Sequence, residues 1–222
     1  MCSNHSTLIG NITFYRVTLE FLSQVFLDQP NQALMKHLVQ ANPFEEWPVD
    51  SDAPDLSRGL DLLASFCDHW TPEQLEDLTL DYTRLFVGLD RTLAPPYESV
   101  FLSDDHLMFE KQTLEVRALY EQHDLQVPKK HQIPDDHLGY ECQFVATLCD
   151  QLVCAWQGRE YGVVTSLQKT LCQFLDTHLL RWLPAFRDRV LAHGDTDFYR
   201  GMALVANVTA VDLRQDLEDL PV

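Results

Sequence analysis

The sequence predicts an all-α protein. Apolar residues recur three and four positions apart along nearly the whole chain, strict apolar–polar alternation is almost absent, and glycine is scarce (8 residues) while prolines fall at breaks in the pattern. With 222 residues and a 45% hydrophobic content, the chain is long enough to bury one large core. The expectation is a single globular domain, residues 1–222, of about nine helices.

The elements follow in order. Residues 8–27 form an apolar segment whose β-branched start resembles a strand but whose length favours a helix, ending before Asp28-Gln29-Pro30. A short helix is expected over 31–40, then a loop over 42–54 carrying Pro43, Pro48 and Pro54, then a helix over 56–70. The next helix has the clearest start: Thr71 as cap, Pro72 at the first helical position and Gln74 completing a capping box. Leu75, Leu78, Tyr82, Leu85 and Phe86 mark its apolar face and Gly88 stops it. Residues 89–102, with Pro95-Pro96, read as extended or irregular. Asp104 or Asp105 is expected to cap a helix to about His123, and residues 127–134 form a hinge between an N-terminal half (1–126) and a C-terminal half (135–222). Asp135 and Asp136 start a long helix to Gln157, ended by Gly158. Helices over 161–178, 180–193 and 198–213 follow, with Gly194 at a C-terminal cap and Thr196 or Asp197 capping the last, and the acidic tail from 212 is expected to fray.

Sixteen basic against 34 acidic residues give a net charge of −18. Such a surface repels nucleic acid and anionic lipid and attracts basic ligands, Arg-rich peptides among them. The N-terminus lacks the basic and apolar regions of a secretory signal, and no apolar run approaches a membrane span. The six cysteines form no CxxC pair and read as reduced thiols of a cytoplasmic protein, Cys142 and Cys149 sharing a helix face as small hydrophobes.

Catalytic motifs are absent: there is no nucleophile elbow, P-loop or dinucleotide fingerprint. Asp-Asp-His occurs twice, at 104–106 and 135–137, and Glu141 follows His137 by four. Two such sites suit a metal-dependent phosphohydrolase. Capping is the stronger reading, because each repeat sits at an expected helix start, where acids suit the helix dipole. An enzyme is not expected.

Two irregular stretches stand out. Tyr82-Thr83-Arg84-Leu85-Phe86-Val87-Gly88 leads into Pro95-Pro96-Tyr97-Glu98-Ser99-Val100-Phe101, where a stiff Pro pair can hold Tyr97 and Phe101 open as groove walls with Glu98 at the rim. Pro134-Asp135-Asp136-His137-Leu138-Gly139 places a glycine in a first helical turn, which costs about 1 kcal/mol against Ala and points to close approach of another group. On composition alone these aromatics seal a core and these acids cap a helix.

Together the two stretches resemble the TorD/DmsD family of redox-enzyme maturation chaperones, and Phe174-Leu175-x-x-His178-Leu179-x-x-Trp182 is similar to a third part of that pattern. The resemblance runs over about residues 8–213 and implies a TorD-like all-helical fold. It implies a cytoplasmic chaperone that is not an enzyme. Such a protein binds the twin-arginine signal peptide or immature body of a molybdopterin oxidoreductase and holds it for cofactor insertion before export. Monomers and domain-swapped dimers occur in the family; no cofactor is expected, beyond weak guanine nucleotide binding in some members. The family's binding surface carries over to Tyr82, Leu85, Phe86, Pro96, Tyr97, Glu98, Ser99, Pro134, Asp136 and His137. Tyr82 and Tyr97 stand where some members carry Trp, and Arg16 is the nearest candidate for an N-terminal binding Arg. A twin-arginine signal is two Arg followed by an apolar run, so acids (Asp136, Glu98) would pair with the guanidiniums and the aromatics would bury the rest, with His137 changing charge near neutrality. The alternative is an assembly factor for a non-exported metalloenzyme that reads no signal peptide.

Overall fold

The structure, a computed structural model, describes residues 2–49, 51–88, 92–103, 108, 111–128 and 133–221, with the backbone alone for 2–6. Ten α-helical segments are present among them: α1 (Cys2–Leu27), α2 (Gln32–Ala41), α3 (Pro54–Asp68), α4 (Gln74–Tyr82), α5 (Glu98–Leu102), α6 (Lys111–Gln122), α7 (Leu138–Gln157), α8 (Tyr161–Phe174), α9 (Leu180–His193) and α10 (Asp197–Asp219). A π turn, Thr83–Val87, extends α4, and a second, Leu175–Leu179, joins α8 to α9. Counting that joined pair as one rod leaves nine helices among the described residues, and no strand.

α10 forms the centre. Thirteen consecutive positions from Phe198 to Ala210 include only Arg200 outside the buried set, so this helix is enclosed on every side. Gly59 of α3 and Gly201 of α10 let these two helices approach backbone to side chain: a Cβ on Gly201 would come within 2.5 Å of Leu63 Cγ. α1 packs along α7, where a Cβ on Gly139 would meet Leu27 Cγ at 2.4 Å. The close approach expected at Gly139 is thus to the end of α1.

The stops at Gly88, Gly158 and Gly194 fall where expected. Gly88 alone of these needs the left-handed half of the map, at φ 64°, and its N–H donates to Thr83 O at 2.7 Å across the π turn. At Thr71 half of the capping box is present, the Thr71 N–H donating to Gln74 Oε1 at 2.7 Å. Three expectations are corrected. Residues 98–102 are helical rather than irregular, because Asp136 supplies the acceptor for Ser99 N–H that α5 lacks in its own sequence. The tail does not fray: α10 runs to Asp219, with Leu213, Leu217 and Leu220 buried and Gln168 Nε2 donating to Leu217 O and Leu220 O. The acids Asp135 and Asp136 do not cap α7; His137 does, its Nδ1 accepting from Gly139 N–H at 3.0 Å. The expected cap at Asp104 or Asp105, and residues 129–132 of the expected hinge, lie outside the described residues.

Candidate functional site

The π turn after α4 begins the site. Closing i to i+5 frees carbonyls that an α-helix would use, and Leu93 N–H and Ala94 N–H donate to Arg84 O (3.2 Å) and Leu85 O (2.8 Å). The chain is thereby folded back onto its own helix before Pro95-Pro96 carries it away. The next residues meet the second stretch in an isolated antiparallel bridge between Tyr97 and His137: Glu98 N–H donates to Asp136 O at 3.0 Å and Leu138 N–H to Pro96 O at 2.8 Å. Two stretches about forty residues apart in sequence are joined by backbone hydrogen bonds.

Beside this bridge lies an open groove of about 450 Å³, lined by Leu27, Tyr82, Phe86, Val87, Thr92, Pro95, Tyr97, Val100, Met108, Ile133 and His137. Tyr97 and His137 meet edge to face with centroids 5.1 Å apart, and Tyr82 and Phe86 at 5.4 Å. Val87 (53% exposed) and Met108 (49%) leave apolar surface at the rim. Of the ten residues expected at the site, four line the groove: Tyr82, Phe86, Tyr97 and His137.

The other six lie beneath. Leu85, Pro96, Glu98, Ser99, Pro134 and Asp136 are buried. Asp136 Oδ2 accepts from Ser99 N–H (2.8 Å) and Oδ1 from Thr113 Oγ1 (2.7 Å), while Pro134 O accepts from His137 N–H (3.2 Å). Asp135 accepts from both Arg117 Nε (3.2 Å) and Nη2 (2.6 Å), and Tyr120 Oη donates to Asp135 O at 3.1 Å. The expectation that Glu98 and Asp136 stand at a rim to meet guanidiniums is therefore corrected: both carboxylates point into the fold and are occupied there. Phe101 is no groove wall either; it packs on Trp182 at 5.4 Å, with the Arg189 guanidinium 4.5 Å over its ring.

Glu98 opens into a buried polar cluster. His178 Nδ1 lies 3.0 Å from Glu98 Oε2, and Trp182 Nε1 donates to Glu141 Oε2 at 3.2 Å. The third stretch of the sequence pattern, Phe174 to Trp182, thus supplies the far wall of this cluster. Burial, then repulsion from Glu98 and Asp136, raises Glu141 well above the usual carboxylate range. Glu141 Oε1 meets no donor; protonated, it becomes the donor itself, with Glu98 beside it as acceptor. His137 moves the other way, pushed down to about 3 by burial. Its ring is neutral near pH 7, with Nδ1 as acceptor and the proton on Nε2, so the expected charge change near neutrality is corrected.

The sequence reading missed Leu27, Val87, Thr92, Pro95, Val100, Met108 and Ile133 as lining residues. Ile133 precedes Pro134, and Val87 and Pro95 belong to stretches already singled out, so proximity was a signal for these; nothing in the sequence ties Leu27 to them. A second, larger groove of about 740 Å³ lies between α1, α2 and the loop over 42–48, walled by Phe14, Phe21 and Trp47, and collects none of the expected site residues. Arg16 pairs with Glu20 (2.9 Å) and Asp150 (3.6 Å) and lines neither groove. Among the described residues no group of three or more His, Cys, Asp or Glu is arranged to hold a metal ion, and no helix is long and apolar enough to cross a membrane. The Asp-Asp-His copy at 104–106 lies outside the described residues.

Residues 50–188, which include both stretches of the groove, match the family model described as nitrate reductase delta subunit. The chain is 30% identical over 186 residues to the chaperone protein TorD of Vibrio cholerae serotype O1, covering 84% of this chain and 72% of that one. It is 26% identical over 207 residues to the Tat proofreading chaperone DmsD of Salmonella typhi, covering 91% and 90%. A crystal structure of a candidate redox enzyme maturation protein from Archaeoglobus fulgidus shares the fold, with a TM-score of 0.50 at 17% identity over 87% of this chain and 91% of that one.

Proposed function

Since the chain belongs to the nitrate reductase delta subunit family, with the TorD and DmsD chaperones among its relatives, we propose that it is a chaperone whose aromatic groove holds the twin-arginine leader of a molybdopterin oxidoreductase precursor. On this reading it works in the cytoplasm, keeps the precursor from export until its cofactor is inserted, and carries out no reaction of its own.

The observation that carries the reading is the groove itself. Two stretches distant in sequence are tied together by backbone hydrogen bonds, and the product is an open apolar trough on a chain of net charge −18. An apolar leader segment can bury against Tyr82, Phe86 and Tyr97, while the acidic surface attracts the basic end. The groove is pre-formed, because its floor is tied together by buried hydrogen bonds from Ser99 N–H and Thr113 Oγ1 to Asp136; little ordering is then needed on binding.

The test uses calorimetry with a synthetic peptide carrying Arg-Arg followed by a Leu/Ala-rich segment. Tyr97→Ala and Val87→Asp act on the wall and rim and should each weaken binding about tenfold or more. Trp47→Ala, in the other groove, should leave it unchanged. Wild-type affinity in both groove variants, or loss only with Trp47→Ala, refutes the assignment. Capture of precursors with and without their leader separates leader reading from recognition of the enzyme body.

A further inference from the structure

The C-terminal end of α1 is arranged against its own stability. A helix of 26 residues ends in carbonyls that carry partial negative charge, and its last turn holds no basic residue. The next residue is Asp28, an exposed acid. Among the described residues no ion pair or side-chain hydrogen bond engages its carboxylate. A Lys or Arg at this point would favour the helix; an acid opposes it.

This end of α1 stands at the groove. Leu27, one residue earlier, lines it. Tyr82, in the groove wall, donates its hydroxyl to Phe26 O at 3.1 Å. Leu27 is pressed against Gly139 at the start of α7, two residues from His137. The charge of Asp28 reaches two tyrosines here. Burial first, then Asp28, pushes Tyr82 up to about 12; burial, Asp135 and then Asp28 raise Tyr140. Among the described residues the groove lining contains no Asp, Glu, Lys or Arg, and of these residues Asp28 is the charge that acts most on Tyr82 from outside it.

We propose that the C-terminal end of α1, centred on Asp28, is a guanidinium subsite that receives an Arg of the bound leader while the adjoining groove receives its apolar segment. The assignment rests on the leader-binding reading above. It supplies the acid that Glu98 and Asp136, turned inward, do not. A guanidinium presents several donors in one plane, so it can engage the Asp28 carboxylate and the carbonyls of the helix end together, which an ammonium does less well.

Asp28→Asn, Asp28→Lys and wild type are titrated calorimetrically with two synthetic peptides, one with Arg-Arg before a Leu/Ala-rich segment and one with Gln-Gln in its place. Wild type should prefer the Arg-Arg peptide. Asp28→Asn should weaken the Arg-Arg peptide about fivefold, Asp28→Lys more, and neither should change the Gln-Gln peptide. In the absence of peptide, Asp28→Lys should melt about 1–3 °C higher than wild type. Equal weakening of both peptides makes Asp28 a support of the groove rather than a cation subsite and overturns the inference. So does undiminished preference for Arg-Arg in Asp28→Lys. If wild type binds neither peptide, the leader-binding reading itself falls, and the subsite with it.

Discussion

Asp136→Ala tests whether the inward acids are floor or surface. The carboxylate accepts two hydrogen bonds inside the fold, from Ser99 N–H at 2.8 Å and from Thr113 Oγ1 at 2.7 Å, and it is wholly buried. Bonds to a charged acceptor contribute about 1.5–3 kcal/mol each, and truncation leaves a buried N–H without a partner, so the expected loss of stability is about 3–5 kcal/mol. That is a large fraction of the about 5–15 kcal/mol that holds a domain together. Asp136→Asn keeps one acceptor and should lose roughly half as much. Urea unfolding followed by circular dichroism should show the Ala midpoint falling by about 1–2 M. The fraction that remains folded should bind leader peptide with unchanged affinity, since the carboxylate does not reach the groove. An unchanged midpoint together with lost binding would refute the reasoning and return Asp136 to the surface.

Two predictions concern protons. His137 has a folded-state pKa of about 3 against an ordinary 6.5, so folding favours its neutral form; the stability it contributes is present above about 6.5 and is lost as pH falls through 3. Its ring resonances in NMR should therefore not titrate between about pH 5 and 8, and a His137 midpoint within that range would refute the buried-cap assignment. Glu141 runs the opposite way: its pKa is raised, so its contribution is present below the ordinary 4.5 and is lost as pH rises through the folded value. Glu141→Gln keeps an acceptor for Trp182 and a donor for Glu98 with no proton to lose. Its stability relative to wild type should grow as pH rises above about 4.5, read from denaturation midpoints across pH, and a difference independent of pH would show that Glu141 is ionised in the fold.

The helices were legible because their cause is local. Periodicity placed α2, α3 and α7 within a few residues, and Gly88, Gly158 and Gly194 ended helices at the residues expected. What misled was any feature whose partner is distant. Asp212 to Asp219 reads as a fraying acidic tail until Asp216 is seen to accept from Asn11 Nδ2 at 2.8 Å and Tyr15 Oη at 3.3 Å, more than two hundred residues away. Asp136 looks like the cap of the helix that follows it and instead serves Ser99 of α5, thirty-seven residues earlier.

The same limit shaped the reading of the site. Family likeness and residue type singled out ten positions, and the fold divides them into four that face the groove and six that build its floor. A sequence pattern cannot make that division, since a carboxylate that organises a site and one that touches a ligand carry the same letter. Burial makes it. Glu98 and Asp136 have internal partners and cannot release them to a peptide without leaving buried donors unpaired. Among the described residues Asp28 has no internal partner, and it stands where its charge costs stability. The recognisable residues thus account for the shape of the groove and its stiffness, while the charge proposed to meet a basic leader lies at a position that no motif contains.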